Sequence, residues 1–229
     1  MRRALFFAER KTIMPDIIYE DGHLIVCKKP AGLAVQSASF GRQDLESMVR
    51  TCLAEKEGRA NPYLAVVHRL DQPVQGLIVF AKTKKAAASL SAQVQDGRMK
   101  KEYLAAVCGH PEKKKGRLIS FLKKDPKGNV ARTVSEQTPG AKRAVLDYEV
   151  LREQGELSLL KIFLQTGRFH QIRVQMAEAG FPLYGDTKYN PQAQKGQGLA
   201  LCANHLELVH PITGKKMAFD CMPQGFPEI

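Results

Sequence analysis

The segment 17-IIYEDGHLIVC-27 decides the fold class, because two β-rich runs flank a turn sequence. Asp21-Gly22 is a dipeptide that readily supplies the positive φ angles of a two-residue hairpin turn. The segment therefore predicts an antiparallel hairpin that joins Ile17–Glu20 to His23–Cys27. The next residues, Lys29-Pro30-Ala31-Gly32, predict a loop because Pro and Gly interrupt regular structure.

Short β-rich runs predict further strands along the rest of the chain. They are Leu64–Val67, Gly76–Ala81, Lys101–Val107, Leu118–Leu122, Ala144–Leu151, Leu157–Leu164, Leu206–Val209 and Met217–Cys221. Gln154-Gly155 predicts the turn of a second long hairpin. The stretch Lys113–Gly140 is rich in Lys, Gly and Pro, which predicts an exposed connection and a candidate boundary between sub-lobes.

Three segments carry the signals of helices. They are Gln43–Gly58, with apolar residues on one stripe, Lys84–Asp96, with Thr83 as candidate N-cap, and Phe169–Ala179, stopped by Gly180 and Pro182. Hairpins outnumber β-α-β units in this pattern. The chain is therefore predicted to be α+β, with a mixed, mainly antiparallel β-sheet and flanking helices.

The amino-acid composition indicates what kind of partner the protein binds and in which compartment it works. The chain has 229 residues and a net charge of +12, which favours a polyanionic partner. Five cysteines, an odd number without a C-x-x-C pair, argue against a disulfide framework and a structural zinc site, and favour a reducing compartment. No apolar run approaches the roughly 20 residues of a membrane helix. We expect a cytoplasmic protein that has no membrane partner and binds no metal.

Residues 1–13 have basic flanks and an apolar run too short for a signal peptide. They are predicted to be a basic N-terminal tail outside the fold. Residues 14–229 are predicted to form a single domain, because one core can serve a chain of this length.

Two polar blocks are candidates for chemistry. His68-Arg69-Leu70-Asp71 lies between two predicted strands, so its side chains are held at a sheet end where clefts form. The alternative is that Asp71 caps a turn and pairs with Arg69 at the surface. Thr166–Arg173 places Arg168, His170 and Arg173 at the start of a predicted helix, a position that suits anions. Its alternative is a solvated basic face.

An ordered series of motifs resembles the RluA family of pseudouridine synthases. The series comprises Ile18–Asp21, Leu24–Val26, Lys29–Leu33, His68–Asp71 with Gly76-Leu77, Ala81–Lys84, Lys101–Ala105, Leu164–Val174, Gly185-Asp186 with Tyr189, and His210–Gly214. It covers the chain from about residue 16 to near the C-terminus. Single motifs of this length are weak signals, but their order makes the joint match specific.

The resemblance implies a fold and an activity. The fold would be the pseudouridine synthase fold, a mainly antiparallel sheet split by a central basic cleft. The activity would be isomerisation of a uridine already in RNA, without cofactor or metal. The partner would be a stem-loop of rRNA or tRNA, bound by a monomer. Because the first hairpin begins near residue 16, the separate N-terminal RNA-binding domain of some relatives is not expected here.

The resemblance also assigns residues. Asp71 matches the catalytic aspartate, Arg173 its partner arginine and Tyr103 the active-site tyrosine, which from its strand position alone would be a core residue. The remaining candidates for substrate binding are His68, Arg69, Arg168, His170 and Leu201. Arg69 is a candidate to fill the space left by the flipped base, and Leu201 a candidate apolar wall. A guanidinium beside Asp71 is expected to lower the pKa of its carboxyl.

One loop departs from the family pattern. Where relatives usually have Thr-Ser before the glycine, this chain has Val74-Gln75 before Gly76. We expect this change to alter how the loop is held or which RNA fits. Two alternatives to the synthase remain open at this stage: a non-catalytic RNA-binding protein on the same fold, and a glycosidase-like hydrolase, for which no second carboxylate is identifiable.

Overall fold

The computed structural model describes residues 14–37, 41–125 and 127–229, which form eleven strands and three helices. The predicted basic tail, residues 1–13, lies outside the described residues. The strands are β1 (Asp16–Glu20), β2 (Leu24–Lys29), β3 (Ala65–Val66), β4 (Gln75–Ala81), β5 (Lys100–Cys108), β6 (Lys115–Asp125), β7 (Val130–Val134), β8 (Lys142–Gln154), β9 (Leu157–Leu164), β10 (Leu201–Val209) and β11 (Lys216–Asp220). The helices are α1 (Leu45–Glu57), α2 (Lys84–Gln95) and α3 (Gln171–Glu178).

All described strands belong to one sheet, in the order β1-β2-β4-β10-β5-β9-β8-β6-β7, with β11 beside β10 and β3 beside β4. Among these pairings only β4 with β10 is parallel. The prediction of an α+β fold with a mainly antiparallel sheet is confirmed.

The parallel contact between β4 and β10 is short and includes Gly76. The φ of Gly76 is +120°, and a Cβ at this position would lie 2.3 Å from the Ala203 carbonyl oxygen. Only glycine permits this close approach.

The first hairpin forms as predicted, but its turn is built differently. β1 and β2 pair antiparallel, with Glu20 opposite Ile25. Neither Asp21 nor Gly22 has a positive φ, so the prediction of a positive-φ Asp-Gly turn is wrong. Instead, Asp21 Oδ1 accepts the N–H groups of His23 at 2.7 Å and Leu24 at 2.9 Å. A side-chain carboxylate replaces backbone geometry as the element that closes the turn.

Local sequence sets both ends of α1. Asp44 is the N-cap: its side chain accepts the Ser47 N–H, and the Ser47 hydroxyl accepts the Asp44 N–H in return, which forms a capping box. Gly58 ends the helix in the left-handed conformation with a φ of 64°. Leu45, Val49 and Leu53 are buried. The predicted helix is thus confirmed to within two residues at each end.

The segment around Lys113–Gly140 forms more regular structure than predicted. β6 is eleven residues long rather than the five expected, and it pairs with β8 from Lys115 opposite Glu149 to Leu122 opposite Lys142. β7 adds a further antiparallel strand. The strand signal was weak because charged residues occupy many exposed positions along β6. This segment extends the sheet, so the sheet has no break there.

Apolar side chains cover both faces of the central strands. On one face α1 and α3 pack through Val49 and Met176 against Ile25, Phe80 and other buried residues. On the other face α2 packs through Leu90 against Leu77 and Leu206. The loop between β3 and β4, the entry to α3 and the start of β10 then border one cleft. The hydrophobic layers therefore fix the backbone around this cleft.

Candidate active site

A cleft of about 1340 Å³ opens beside the centre of the sheet. All eight residues singled out from the sequence line it: His68, Arg69, Asp71, Tyr103, Arg168, His170, Arg173 and Leu201. Segments that are far apart in sequence supply these residues, so only the folded chain brings them together. The cleft is also lined by further cations, namely Arg42, Lys101, Lys124 and Lys188, against two carboxylates, Asp71 and Asp186.

The loop that carries Asp71 is held from beneath by a buried lysine. Lys29 is fully buried, and its ammonium donates to the carbonyl oxygens of Pro30 at 2.9 Å, Leu33 at 2.7 Å and Gln72 at 3.0 Å. Burial lowers the pKa of Lys29 to about 8, while the Asp71 charge opposes that shift. A buried positive charge thus ties the residue after Asp71 to the loop that follows β2.

The side chains of Gln72 and Gln75 hold both ends of the loop that departs from the family pattern. Gln72 Nε2 donates to the Gly32 carbonyl at 2.9 Å, and the Gly32 N–H donates to the Gln72 carbonyl at 2.9 Å. Gln75 Nε2 donates to the Gln224 carbonyl at 2.8 Å, and Gln75 Oε1 accepts the Gln224 N–H at 2.8 Å. The two glutamine amides therefore anchor the ends of the loop.

Arg173 joins two carboxylates in the wall of the cleft. Its Nε and Nη2 donate to both oxygens of Asp186, at 2.8 and 2.7 Å, in a buried bidentate pair. Its remaining Nη1 lies 3.6 Å from Asp71 Oδ2. Asp186 and burial therefore fix the guanidinium so that one edge faces Asp71. This arrangement distinguishes Arg173 from Arg168, whose Nε donates to the Arg143 carbonyl at 2.9 Å.

His170 reaches the same carboxylate oxygen. Its Nε2 lies 3.6 Å from Asp71 Oδ2, and its Nδ1 is 2.8 Å from the Tyr189 hydroxyl. That hydroxyl accepts the Ala131 N–H at 2.6 Å, so it donates its own proton to Nδ1. Burial and the nearby Arg173 charge lower the pKa of His170 to about 3, so the imidazole is neutral and carries its proton on Nε2. Its N–H then points towards Asp71.

The backbone at His170 is strained. Its φ of 53° is one of two positive values among the described non-glycine residues, and it lies immediately before α3. Thr166 and Gln171 hold this conformation: the Thr166 hydroxyl donates to Gln171 Oε1 at 2.8 Å, and Gln171 Nε2 donates to the Val145 carbonyl at 3.0 Å. The helix begins at Gln171, two residues later than predicted. Strain of this kind is common where a fold positions a functional side chain.

Of the two acids that line the cleft, Asp71 is less fully paired with cations than Asp186. Burial raises the pKa of its carboxyl, and the attraction of Arg173 offsets only part of that rise. Arg173 acts in the direction expected from the sequence and lowers this pKa, but it does not outweigh burial, because Arg173 is shared with Asp186 and stands 3.6 Å from Asp71. The side chain of Asp71 remains 25% exposed, towards the cleft.

Tyr103 and Leu201 form the apolar floor. They lie on the neighbouring strands β5 and β10 and are both buried. Burial and the Asp71 charge raise the pKa of Tyr103 far above its usual value, so the phenol keeps its proton. The apolar ring and the aliphatic wall can hold a flat, uncharged ring against Asp71.

The two other predicted residues differ in their surroundings. His68 is buried, and its Nε2 accepts the Val79 N–H at 3.2 Å, which ties the Asp71 loop to β4. Arg69 is exposed and has no hydrogen-bond or ion-pair partner within the described ranges. Sequence reasoning missed the roles of Lys29, Asp186 and Tyr189 as supports. A lysine at the end of a continuous apolar run was the available signal for Lys29.

Comparison with known proteins identifies the family. The family model for RNA pseudouridylate synthases matches residues 23–178, more than half of the chain. The chain belongs to the RNA pseudouridylate synthase family. A Haemophilus influenzae relative, named dual-specificity RNA pseudouridine synthase RluA, is 36% identical, and the match covers 90% of this chain and 91% of that protein. A Zymomonas mobilis relative, named ribosomal large subunit pseudouridine synthase D, is 35% identical over 94% of this chain and 72% of its own length.

Solved structures agree on the fold of this RNA pseudouridine synthase. Human RNA pseudouridylate synthase domain containing 4 superposes with a TM-score of 0.75 at 23% identity, over 91% of this chain and 89% of that one. Human RNA pseudouridylate synthase domain containing 1 gives a TM-score of 0.74 at 19% identity, over 97% and 86%. The resemblance seen in the sequence is thereby confirmed, as is its implication of an isomerase that acts on RNA.

Across residues 14–37, 41–125 and 127–229, no group of three or more His, Cys, Asp or Glu side chains is placed to hold a metal ion. None of the three described helices is long and apolar enough to cross a membrane.

Proposed function

We propose that this synthase isomerises a specific uridine of rRNA or tRNA, with Asp71 as its catalytic residue. The observation that carries the proposal is the environment of the Asp71 carboxylate. It faces the cleft with Arg173 Nη1 and His170 Nε2 each 3.6 Å from Oδ2, while the other acid, Asp186, is saturated by Arg173. Asp71 is therefore the carboxylate of the cleft wall that remains available for chemistry.

The reaction exchanges one bond to the sugar for another. The N1–C1′ bond of the uridine breaks, the uracil turns, a C5–C1′ bond forms, C5 loses a proton and N1 gains one. An ionised Asp71 serves this sequence by attack on the uracil ring or by assistance at C1′. Arg173 supports ionisation against the cost of burial. Tyr103 borders the cleft near Asp71 and keeps its phenolic proton, which supports a role in stacking on the uracil.

The target uridine must leave its stack to reach Asp71. Flipping a nucleotide costs a few kcal/mol of unstacking, which other contacts must offset. Arg69, two residues before Asp71, is exposed at the cleft and unpartnered within the described ranges, so its guanidinium is free to enter the space left by the base. We expect Arg69→Ala to reduce turnover more than RNA affinity, measured by single-turnover kinetics and by fluorescence anisotropy on the same RNA.

A hydrolase using Asp71 is disfavoured by the same geometry. Glycoside hydrolysis requires a second carboxyl group that is free to act as acid or base. Asp186 is 1% exposed and gives both oxygens to Arg173. A non-catalytic RNA-binding protein is disfavoured because Asp71, Tyr103 and Arg173 converge on one cleft and the close relatives carry the names of synthases.

The substrate class is inferred from the relatives and from charge. One relative is named for the large ribosomal subunit and another for dual specificity. The +12 net charge of this chain suits either RNA. We infer a compact stem-loop as the bound form, a monomer made of residues 14–229 as the catalytic domain, and the cytoplasm as the compartment, which agrees with five free cysteines.

The proposal is tested by tritium release from bulk tRNA and rRNA labelled at uracil C5. The wild-type protein is expected to release tritium, and Asp71→Asn to lower the rate by at least about 10⁴-fold while RNA affinity is retained. Mapping of pseudouridine in each RNA pool then identifies the target. Release of free uracil would instead establish a hydrolase, and RNA binding without release by the wild type would establish a binding protein.

A further inference from the structure

Lys101 stands on the wall of the cleft without a counter-ion. It lies two residues before Tyr103 on β5, so the two side chains point to the same face of the sheet and both border the cleft. Within residues 14–37, 41–125 and 127–229, its ammonium has no hydrogen-bond or ion-pair partner. The separation along the strand is about 7 Å. Lys101 is thus the next residue on the same face of β5 as Tyr103, on whose ring the uracil is expected to lie.

An unpaired cation in this position is costly. Lys101 is only partly exposed, and desolvation lowers its pKa, with no carboxylate in the described part of the chain to oppose the shift. Two other cations of the cleft have companions: Arg173 pairs with Asp186, and Lys188 donates to the Asn129 carbonyl at 2.7 Å. Groups held in such an environment are more often functional than structural, because burial of an uncompensated charge destabilises the fold.

The neighbouring side chain on this wall, His68, also offers a donor rather than an acceptor. Its Nε2 accepts the Val79 N–H, and its pKa is lowered well below the usual value by burial and by the Lys101 charge. The neutral ring therefore carries its proton on Nδ1, which is buried and has no partner among the described residues. Lys101 and His68 therefore both offer hydrogen-bond donors on this wall, and Lys101 adds a positive charge. A hydrogen-bond acceptor with a negative charge would complement both residues.

We propose that Lys101 binds a phosphate of the substrate RNA beside the nucleotide whose base rests on Tyr103. This inference rests on the proposed function, because it assumes an RNA strand in the cleft. A flipped nucleotide draws its flanking phosphates towards the wall of the pocket that receives the base. A phosphate oxygen is the ligand of an RNA strand that supplies both the negative charge and the acceptor capacity that this wall lacks.

A contact to phosphate and a contact to uracil predict different kinetics. A phosphate contact forms in the ground-state complex and persists through the reaction, so its loss raises KM and leaves kcat nearly constant. A phosphate contact also releases a counterion from the RNA. Loss of the contact therefore makes the negative slope of log affinity against log salt concentration shallower by about 0.7–0.9. If Lys101 instead contacted the reacting base, its loss would lower kcat and leave the salt slope unchanged.

The experiment compares Lys101→Met, Lys101→Arg and the matched control Lys100→Met. Lys100 is the adjacent lysine, exposed on the opposite face of β5. Each variant is assayed by tritium release and by fluorescence anisotropy with labelled RNA over a series of KCl concentrations. We expect Lys101→Met to raise KM about tenfold, the order expected for a charge-assisted hydrogen bond, and to lower the salt slope. Lys101→Arg should keep both KM and the salt slope close to the wild-type values. Lys100→Met should leave the salt slope at the wild-type value.

Two results would overturn the proposal: an unchanged salt slope in Lys101→Met that melts like the wild type, or a loss confined to kcat. If Lys101→Met does not fold, Lys101→Gln carries the same expectation with a polar side chain of similar length. The two proposals fail separately. Absence of tritium release by the wild type would refute the synthase, whereas the anisotropy slope reports the phosphate contact without any turnover.

Discussion

At the residue scale, the central finding is that Asp71 is held in a position that its charge disfavours. Burial raises the pKa of its carboxyl, and Arg173 compensates incompletely because Asp186 holds the other edge of the guanidinium. An ionised Asp71 in this site carries less hydration and fewer hydrogen bonds than it would in water, which increases its reactivity. The same environment lowers the stability of the folded chain at neutral pH.

We predict that Asp71→Asn raises the free energy of unfolding at pH 7. A carboxyl group whose pKa is higher in the folded than in the unfolded state destabilises the fold increasingly as pH rises above the unfolded pKa, so the cost is larger at pH 7 than at acid pH. Urea denaturation at pH 7 and near pH 3.5 tests this, since the advantage of the variant should shrink where Asp71 is mostly protonated in both states. An Asn variant that is less stable than the wild type at pH 7 would show that Arg173 outweighs burial.

The pH dependence of turnover should report the same carboxyl. Because Asp71 must be ionised, kcat should fall on the acid side through a pKa above 3.8, the value for an unperturbed aspartate. His170 has a pKa of about 3 and that of His68 is well below 6.5, so neither imidazole should add an inflection near neutrality. Single-turnover rates across pH measure this profile. An acid limb centred near 6.5 that disappears in His170→Gln would reassign the titration to His170.

At the element scale, the catalytic loop depends on two strands and on a distant segment. The loop leaves β3, passes Asp71 and enters β4 at Gln75, where the short parallel contact with β10 begins. Gln75 is 5% exposed and bonds reciprocally with Gln224, 149 residues away in sequence. Lys28 Nζ adds a bond to the Met222 carbonyl at 2.9 Å. The segment after β11 thereby packs against the origin of β4.

We predict that Gln75→Ala destabilises the fold by about 1–2 kcal/mol, because two hydrogen bonds at a buried side chain are lost. Gln72→Ala is the matched control in the same loop. Its amide is exposed and makes one bond, to the Gly32 carbonyl, so the expected loss is below about 0.5 kcal/mol. Equilibrium urea denaturation measures both values. Equal losses in the two variants would contradict the role assigned to the Gln224 contact.

At the scale of the whole molecule, positive charge dominates the lining of the cleft. Six of the lining cations lie outside the Arg173–Asp186 pair, namely Arg42, Arg69, Lys101, Lys124, Arg168 and Lys188. Lys124 also covers the ring of Phe169 at 4.6 Å, and that ring stacks on His170. The positive rim is therefore continuous with the strained residue beside Asp71.

We predict a steep salt dependence of RNA binding. If each of these cations except Arg69, which is assigned to the gap left by the base, neutralises one phosphate, the slope of log affinity against log salt concentration is about −3.5 to −4.5. Anisotropy titrations of one stem-loop RNA in increasing KCl measure it. A slope near −1 would show that the rim does not contact the RNA backbone, and would favour recognition by base contacts alone.

The sequence by itself determined the fold class and most of the elements. Alternating apolar residues around turns specified the hairpins β1–β2 and β8–β9, and the local signals of Asp44, Ser47 and Gly58 specified α1, because capping and alternation act between close neighbours in the chain. The ordered motifs, matched as a series, also contained seven of the eight candidate residues that line the cleft, and Leu201 was identified by a looser match outside the series. The function of this chain as an RNA pseudouridine synthase followed from that match and from charge.

Only the tertiary structure decided how those residues act on one another. The raised pKa of Asp71, the sharing of Arg173 with Asp186, the burial of Lys29 beneath the loop and the isolation of Lys101 each depend on distances between segments that the sequence separates by tens of residues. The length of β6 belongs to the same group, since its charged residues became a strand by pairing with β8. Desolvation and electrostatic interactions are set by the packed environment, so no local pattern in the chain determines them.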